Sequence, residues 1–264
     1  MIIENSMYAI ELNKYAQKCQ EYRFKKNQIN SHSISYHKCN FRCVFCEFKN
    51  KPKEDYKRYL LPNEFSEEVK KMLFYGKSFK FTGGEPTLNP NLMRDLSIVK
   101  NLEGEVYLDS NGSLPKVIME VLKNKLVDVL GISLKGIDKS QSLSTANITN
   151  SKLVWKNVFE TINYACSYSN VRTIVTYVVN RDTASMPTLC ALSNLLETFP
   201  NLYLKINNTM EYLESQKNSI FPVNQEFLLK LFTQFIENNA QWKGRSILIN
   251  SNTAMDTYDD IVFL

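Results

Sequence analysis

Between Ser33 and Ile206, short β-rich apolar runs alternate with segments of helical periodicity, and few architectures accommodate that pattern. Runs near Ser33, Ser78, Glu105, Val127, Val171 and Leu202 read as six strands. Helices are expected between them at about Asn63 to Tyr75, Leu92 to Leu102, Lys116 to Lys123, Val154 to Tyr168 and Pro187 to Leu196. Strands and helices alternating at this period specify a parallel sheet assembled from βαβ units, an α/β fold. Tyr8, Leu12, Tyr15, Cys19 and Tyr22 fall at steps of four and three, which draws an apolar stripe down a short N-terminal helix. A helix from Gln225 to Asn239 and a strand from Arg245 to Ile249 close the chain. Without a repeat or a linker, residues 1–264 read as one domain: an N-terminal extension over 1–32, a core over 33–206 and a C-terminal extension over 207–264.

The chain is long enough to bury a sizeable core, and its 44% apolar and 22% charged residues are those of a soluble globular protein. The net charge of +5 is mild and its basic residues are mixed with acids, which argues against nucleic acid as a partner. No apolar run approaches the roughly 18–20 residues of a membrane span, and the first residues are polar, so the expectation is a cytoplasmic protein. Six cysteines, half of them in one cluster, fit a reducing compartment better than a disulfide framework.

That cluster lies in YHKCNFRCVFCEF, Tyr36 to Phe48, where Cys39, Cys43 and Cys46 form a C-x3-C-x2-C array at the end of the first core strand. Thiolates are soft metal ligands, and this spacing lets one short loop wrap a metal centre from three sides. Zinc normally takes four protein ligands, whereas an iron–sulfur cluster held by three cysteines keeps one iron open for chemistry. After the second strand comes Gly83-Gly84-Glu85-Pro86. Paired glycines there imply a sharp turn or a close approach that a Cβ would obstruct. Two connections exceed the usual length, Gly136 to Asn150 and Asn207 to Val223, and are expected to select the substrate. Cysteine loop, glycine pair and both long connections all follow strands, so they meet at the carboxyl end of the sheet.

The cysteine array, with Phe45 immediately before its third cysteine, followed after the next strand by GGEP, resembles the radical S-adenosylmethionine (SAM) superfamily. The resemblance implies a partial (β/α)6 barrel. It also implies one four-iron, four-sulfur cluster on Cys39, Cys43 and Cys46, whose open iron is chelated by the amino and carboxylate groups of SAM. One electron, from a donor such as flavodoxin or ferredoxin, would cleave SAM to a 5′-deoxyadenosyl radical that abstracts a hydrogen atom from a substrate. By the same resemblance Gly83 and Gly84 would face the SAM amino group with Glu85 beside it, and Phe45 would lie against the adenine. Asp109, Ser110 and Asn111 at the third strand end, with Ser133 and Lys135 at the fourth, would hold the ribose and carboxylate.

A zinc-binding module completed by His37 is the alternative of another class, but it leaves the glycine pair unexplained. Cys166 and Cys190 lie at apolar helical positions and read as packing residues, so no catalytic hydrogen donor is assigned. For the substrate, a six-strand barrel leaves a wide lateral opening that suits a peptide or other bulky molecule. A glycyl-radical-enzyme activating enzyme is the competing reading, favoured by the strand-end lysine in ISLKG.

Overall fold

The structure is a computed structural model, and it describes residues 8–11, 31–46, 59–60, 64–74, 76–199, 201–208, 221–250 and 261–263. Among the described residues ten strands form one sheet: β1 (Tyr8–Glu11), β2 (Ser31–Tyr36), β3 (Tyr59–Leu60), β4 (Ser78–Gly83), β5 (Glu105–Ser110), β6 (Val129–Leu134), β7 (Arg172–Val179), β8 (Leu202–Asn208), β9 (Ser246–Ile249) and β10 (Ile261–Phe263). Their order is β10-β9-β8-β7-β6-β5-β4-β2-β1-β3. The seven strands from β2 to β9 in that order pair in parallel, while β1, β3 and β10 add antiparallel edges. The sheet therefore does not close on itself.

The helices are α1 (Phe65–Leu73), α2 (Leu92–Asn101), α3 (Pro115–Lys123), α4 (Lys139–Ala146), α5 (Asn157–Cys166), α6 (Met186–Leu196) and α7 (Gln225–Asn238). All six expected core strands are present, and the closing strand at Ser246–Ile249 extends the parallel sheet beyond β8 as a seventh member. The N-terminal helix is not borne out at its start: Tyr8 to Glu11 is a strand, with Ala9 opposite Ser35. The remainder of that expected helix, Cys19 included, lies outside the described residues. Gly136 to Asn150 is not an open connection either, because it folds into α4. Most of Asn207 to Val223 lies outside the described residues.

Strand alternation sorts the side chains onto two faces. Phe79, Phe81, Val106, Leu108, Leu130, Ile132, Val175, Leu204 and Leu248 pack under the helices in the main core. Fully burying each such side chain stabilises the fold by about 1.5–3 kcal/mol. On the other face Tyr107, Val129, Ile174, Ile247 and Ile249 make a smaller apolar cluster. Among and above them stand Lys80, Asp109, Gly131, Ser133, Thr176 and Lys205, polar or side-chain-free positions in strands that otherwise read as continuously apolar. Parallel strands covered by helices on both faces lack this second, polar surface.

Candidate active site

The cysteine loop begins directly after β2 and is fixed from two sides. On one side its backbone runs against β4: Glu85 N–H donates to Lys38 C=O at 2.6 Å, and Gly84 N–H donates to Tyr36 C=O. A Cβ on Gly83 would stand 2.5 Å from both Tyr36 N and Tyr36 O, and one on Gly84 would collide with the Lys38 carbonyl. Gly83 also has φ +102°, which other residues rarely adopt. The glycine pair therefore lets the cysteine loop itself approach the end of β4.

On its other side the loop caps α4. Arg42 N–H donates to Ala146 C=O at 2.9 Å and Val44 N–H to Thr145 C=O at 3.0 Å. These are carbonyls of the last turn, which a helix leaves without internal partners. Asn147 leaves the helix in the left-handed region, φ 49°, turning the chain clear of the incoming loop. Phe41, Cys43, Ala146 and Val154 form a small buried cluster there, with Phe45 and Cys46 packed against it. Cys39 is the exposed member of the three cysteines, Cys43 is buried and Cys46 is half-buried. His37 is exposed at the start of the loop.

Glu85 binds the two neighbouring strand ends together. It is 1% exposed. One carboxylate oxygen accepts from Thr87 N–H at 3.1 Å, from Thr87 Oγ1 and from Ser110 Oγ at 2.8 Å. The other accepts from Asn111 N–H at 2.6 Å. Burial pushes the Glu85 carboxyl above its ordinary value, and the donors from Thr87, Asn111 and Ser110 pull against that. Asn111 then reaches the cysteine loop: its Nδ2 donates to Asn40 Oδ1 at 2.8 Å, and its Oδ1 accepts from Ser113 N–H at 2.9 Å. Asn40 in turn donates to Ser113 Oγ at 2.9 Å. Ser110 and Asn111 thus have polar groups engaged in the scaffold, a clamping role that sequence reasoning missed for Glu85 and both of these residues. The bridging residues are spread over 72 positions of sequence, from Asn40 to Asn111, so spacing offered no signal.

Lys135 sits between the loop and the sheet. It is 9% exposed, with its Nζ 5.4 Å from the centroid of the Phe45 ring, a cation–π contact. Although Cys39 as a whole is exposed, partial withdrawal of its sulfur from water pushes the thiol up to about 11. The Phe41 N–H and the charge of Lys135 oppose that rise, while Glu85 and Cys43 add to it. Phe41 N–H donates to Cys39 Sγ at 3.4 Å and Asn111 Nδ2 lies 4.0 Å from the same sulfur. Ser133 is half-buried two residues before Lys135 on the same strand face. Asp109 pairs with Lys80 at 3.1 Å. Burial alone would raise its carboxyl, but Lys80, Lys205 and Lys135 together hold it below the ordinary carboxylate range. Cys166 packs half-buried against the main core, where burial raises its thiol to about 11, and Cys190 is half-buried on α6.

The residues suit an iron–sulfur cluster with a bound zwitterion beside it. Donors to the Cys39 sulfur and the nearby Lys135 charge favour thiolate over thiol once a metal competes for the proton. Among the described residues no three His, Cys, Asp or Glu side chains converge on a single-ion position. Ser35 Oγ and Thr176 Oγ1 are buried polar atoms with no hydrogen-bond partner among the described residues, as expected of a surface that a polar ligand covers.

The sequence model of the Radical SAM superfamily matches residues 33–188. A probable GTP 3′,8-cyclase of Saccharolobus solfataricus is 32% identical over 148 residues, 55% of this chain and 46% of the relative. A putative glycyl-radical enzyme activating enzyme of Methanocaldococcus jannaschii is 31% identical over 98 residues, 37% of this chain and 40% of that protein. The chain thus spans less than half the length of these curated relatives. Among solved structures, TYW1 with a lysine–pyruvate adduct bound superposes with a TM-score of 0.60 at 16% identity, covering 99% of this chain and 90% of that one. The enzyme anSMEcpe with bound AdoMet and a peptide superposes with a TM-score of 0.62 at 19% identity, over 81% and 61%. At these identities the superpositions speak to the fold. The family match spans the cysteine loop, GGEP and the five parallel strands β2, β4, β5, β6 and β7, with β2 entered at Ser33, more than half of the chain, and on that basis the protein belongs to the radical SAM superfamily.

Proposed function

We propose that the protein is a radical SAM enzyme that carries one four-iron, four-sulfur cluster on Cys39, Cys43 and Cys46 and binds SAM across the ends of β4, β5 and β6. Enzymes of this superfamily bind SAM and such a cluster. The observation that carries the assignment is the convergence of four separate segments: Cys39 feels the charges of Glu85 and Lys135, and Asn111 links Asn40 to the Glu85 clamp. When bound, cluster and SAM supply hydrogen-atom abstraction initiated by one electron, from a flavodoxin or ferredoxin in this reading.

The chain's own residues bind and orient. Lys135 is the cation for the SAM carboxylate, and Ser133 on the same face offers a hydroxyl beside it. Phe45 presents an aromatic face for the adenine. With the amide hydrogen of Gly84 taken by Tyr36, the glycine pair serves an amino group through carbonyls, the acceptors such a group needs. Asp109, Ser110 and Asn111 act mainly by fixing the strand end, and the apolar cluster of Phe41, Ala146 and Val154 excludes water behind the cysteines.

A peptide or other bulky molecule suits the open sheet as substrate. Anaerobic reconstitution should give a brown protein with about four irons and, with reductant, 5′-deoxyadenosine from SAM. Cys43→Ala should lose both. A colourless protein binding one zinc ion would overturn the assignment. The match to an activating enzyme keeps glycyl-radical installation as the second reading, tested by the glycyl-radical EPR signal in a candidate partner protein.

A further inference from the structure

Behind the cysteine loop, on its α4 side, lies an outer surface that the cofactor reading leaves unused. One π-helical turn, Lys152–Lys156, leads into α5. π-helical turns are rare and recur at functional sites. Val154 in this turn is buried with Phe41 and Cys43 in the small apolar cluster, whereas Lys152 and Lys156 are exposed and Trp155 is half-buried. Lys152 and Lys156 stand four residues apart, as do Trp155 and Phe159, so cations and rings run side by side along the helix. The Trp155 and Phe159 rings meet with their centroids 4.8 Å apart.

Charge on this surface is of one sign. Arg42 stands between the buried Phe41 and Cys43 but is itself exposed, and its N–H is bonded to the Ala146 carbonyl at the end of α4. The two segments that build the surface, residues 36–46 and 139–159, contain no Asp or Glu, while they supply Arg42, Lys152 and Lys156 as exposed cations. Among the described residues none of these three is held in an ion pair. Glu160, four residues beyond Lys156 and also exposed, is the first acid met along the helix. Rings with cations beside them make a protein-binding surface, because rings bury area at low entropic cost and peripheral charges steer the approach.

We infer that this surface docks the protein that delivers the electron, an acidic one-electron carrier bearing a flavin or an iron–sulfur centre. The inference rests on the proposed cluster at Cys39, Cys43 and Cys46. Position separates the surface from the substrate. Gly84 and Glu85 meet the cysteine loop on its β4 side, where the proposed function sets SAM and the reacting atoms, whereas Trp155 and its flanking lysines lie on the α4 side. A molecule docked there is screened from the radical by the loop, yet Phe41 and Val154 pack with Cys43 directly beneath it. Nearness to the cluster is what electron transfer needs, since its rate falls off exponentially with distance. Rings and cations also suit a nucleic acid, but a nucleic-acid substrate would need the reacting atoms on its own side of the loop.

The test drives SAM cleavage in the cluster-loaded protein with two kinds of reductant and reads 5′-deoxyadenosine. Dithionite is small and needs no docking surface; flavodoxin and, separately, ferredoxin, each kept reduced by its own reductase, need one. In the paired variant Lys152→Glu, Lys156→Glu the rate with the better carrier should fall at least about tenfold at low ionic strength, while the dithionite rate stays within about twofold of the unaltered protein. Trp155→Ala should slow the same carrier and spare dithionite. In the unaltered protein the carrier-driven rate should fall as salt rises from about 0.02 to about 0.2 M while the dithionite rate holds, a result that depends on no variant folding. The inference is overturned by a carrier rate that the paired variant leaves unchanged, by a carrier rate in the unaltered protein that ignores salt, or by no cleavage with either carrier. Binding of a single-stranded oligonucleotide that the paired variant loses, with its carrier rate intact, would give the surface to a nucleic acid and overturn the inference too. Absence of 5′-deoxyadenosine with dithionite would instead count against the cluster reading itself.

Discussion

Glu85 is placed as a clamp between strand ends, and that role sets what its replacement by glutamine should do. In Glu85→Gln one carboxylate oxygen becomes an amide nitrogen with two hydrogens, while on each side of the carboxylate one described partner is a main-chain N–H, which can only donate. If the nitrogen replaces the oxygen bound by Asn111 N–H at 2.6 Å, two donors face each other in a buried site. If it replaces the other oxygen, Thr87 N–H loses its acceptor and faces the new amide hydrogens, while the Thr87 and Ser110 hydroxyls must turn round to accept. A hydrogen bond to a charged group is worth about 1.5–3 kcal/mol, and a buried donor without an acceptor costs about 1–3 kcal/mol. The milder rotamer therefore costs about 3 kcal/mol. At 2–4 °C per kcal/mol for a domain of this class, the cofactor-free protein should melt about 6–12 °C lower. Ser110→Ala removes one of the donors and leaves Asn111 and Thr87 in place, so at the low end of that range, about 1.5 kcal/mol, its melting point should fall by about 3–6 °C. Scanning calorimetry on the cofactor-free proteins checks both values. A Glu85→Gln protein that melts with the wild type but no longer binds SAM would refute the clamp and make Glu85 a direct ligand.

Two further outcomes follow from the same geometry. Gly84→Ala would drive a Cβ into the Lys38 carbonyl, backbone that cannot yield, so the cysteine loop must shift; iron content after reconstitution should fall sharply while the circular dichroism spectrum is kept, and wild-type iron content would show that the loop is not held there. Asp109 is held below its ordinary value, so its contribution to stability is present above about pH 4, the unfolded carboxyl's range, and is lost as the pH falls through its lower folded value. Asp109→Asn should accordingly be about 2–4 kcal/mol less stable at pH 7, with the two urea-unfolding curves converging below pH 4; a gap unchanged at pH 3 would deny the ion pairs their role.

The sequence made the parallel sheet and the cysteine loop legible because both are written locally, in runs of β-branched residues and in thiol spacing. It misled at Tyr8–Glu11. Tyr8 and Ile10 alternate as a strand does, while the longer stripe through Leu12 and Tyr15 fits a helix, and the edge offered by Ser33 to Ser35 decides between them. The α4 segment, KSQSLSTA, has too little apolar periodicity to be read as a helix. Its signals were at the ends: Asp138 accepts from Gln141 N–H at 2.8 Å, and Gln141 Oε1 accepts from Ile137 N–H at 2.6 Å, a variant of the capping box. The glycine pair was legible as a close approach, and the cysteine loop's own backbone is what comes close. Lys205 carried no signal at all, since the charge it lends to Asp109 acts from another strand.

The docking of the cysteine loop on α4 passes through main-chain groups, Arg42 and Val44 N–H to Ala146 and Thr145 C=O. Those two bonds are indifferent to which side chains stand at 42 and 44. What they read is register: the length of α4 and the angle at which it ends fix where the thiols stand. A deletion of one residue inside the helix would rotate its last carbonyls by about 100° and withdraw the loop's anchor without touching a cysteine. The cysteine loop and a helix almost a hundred residues later are thus joined through their main chains, so the length of α4 constrains where the thiols stand.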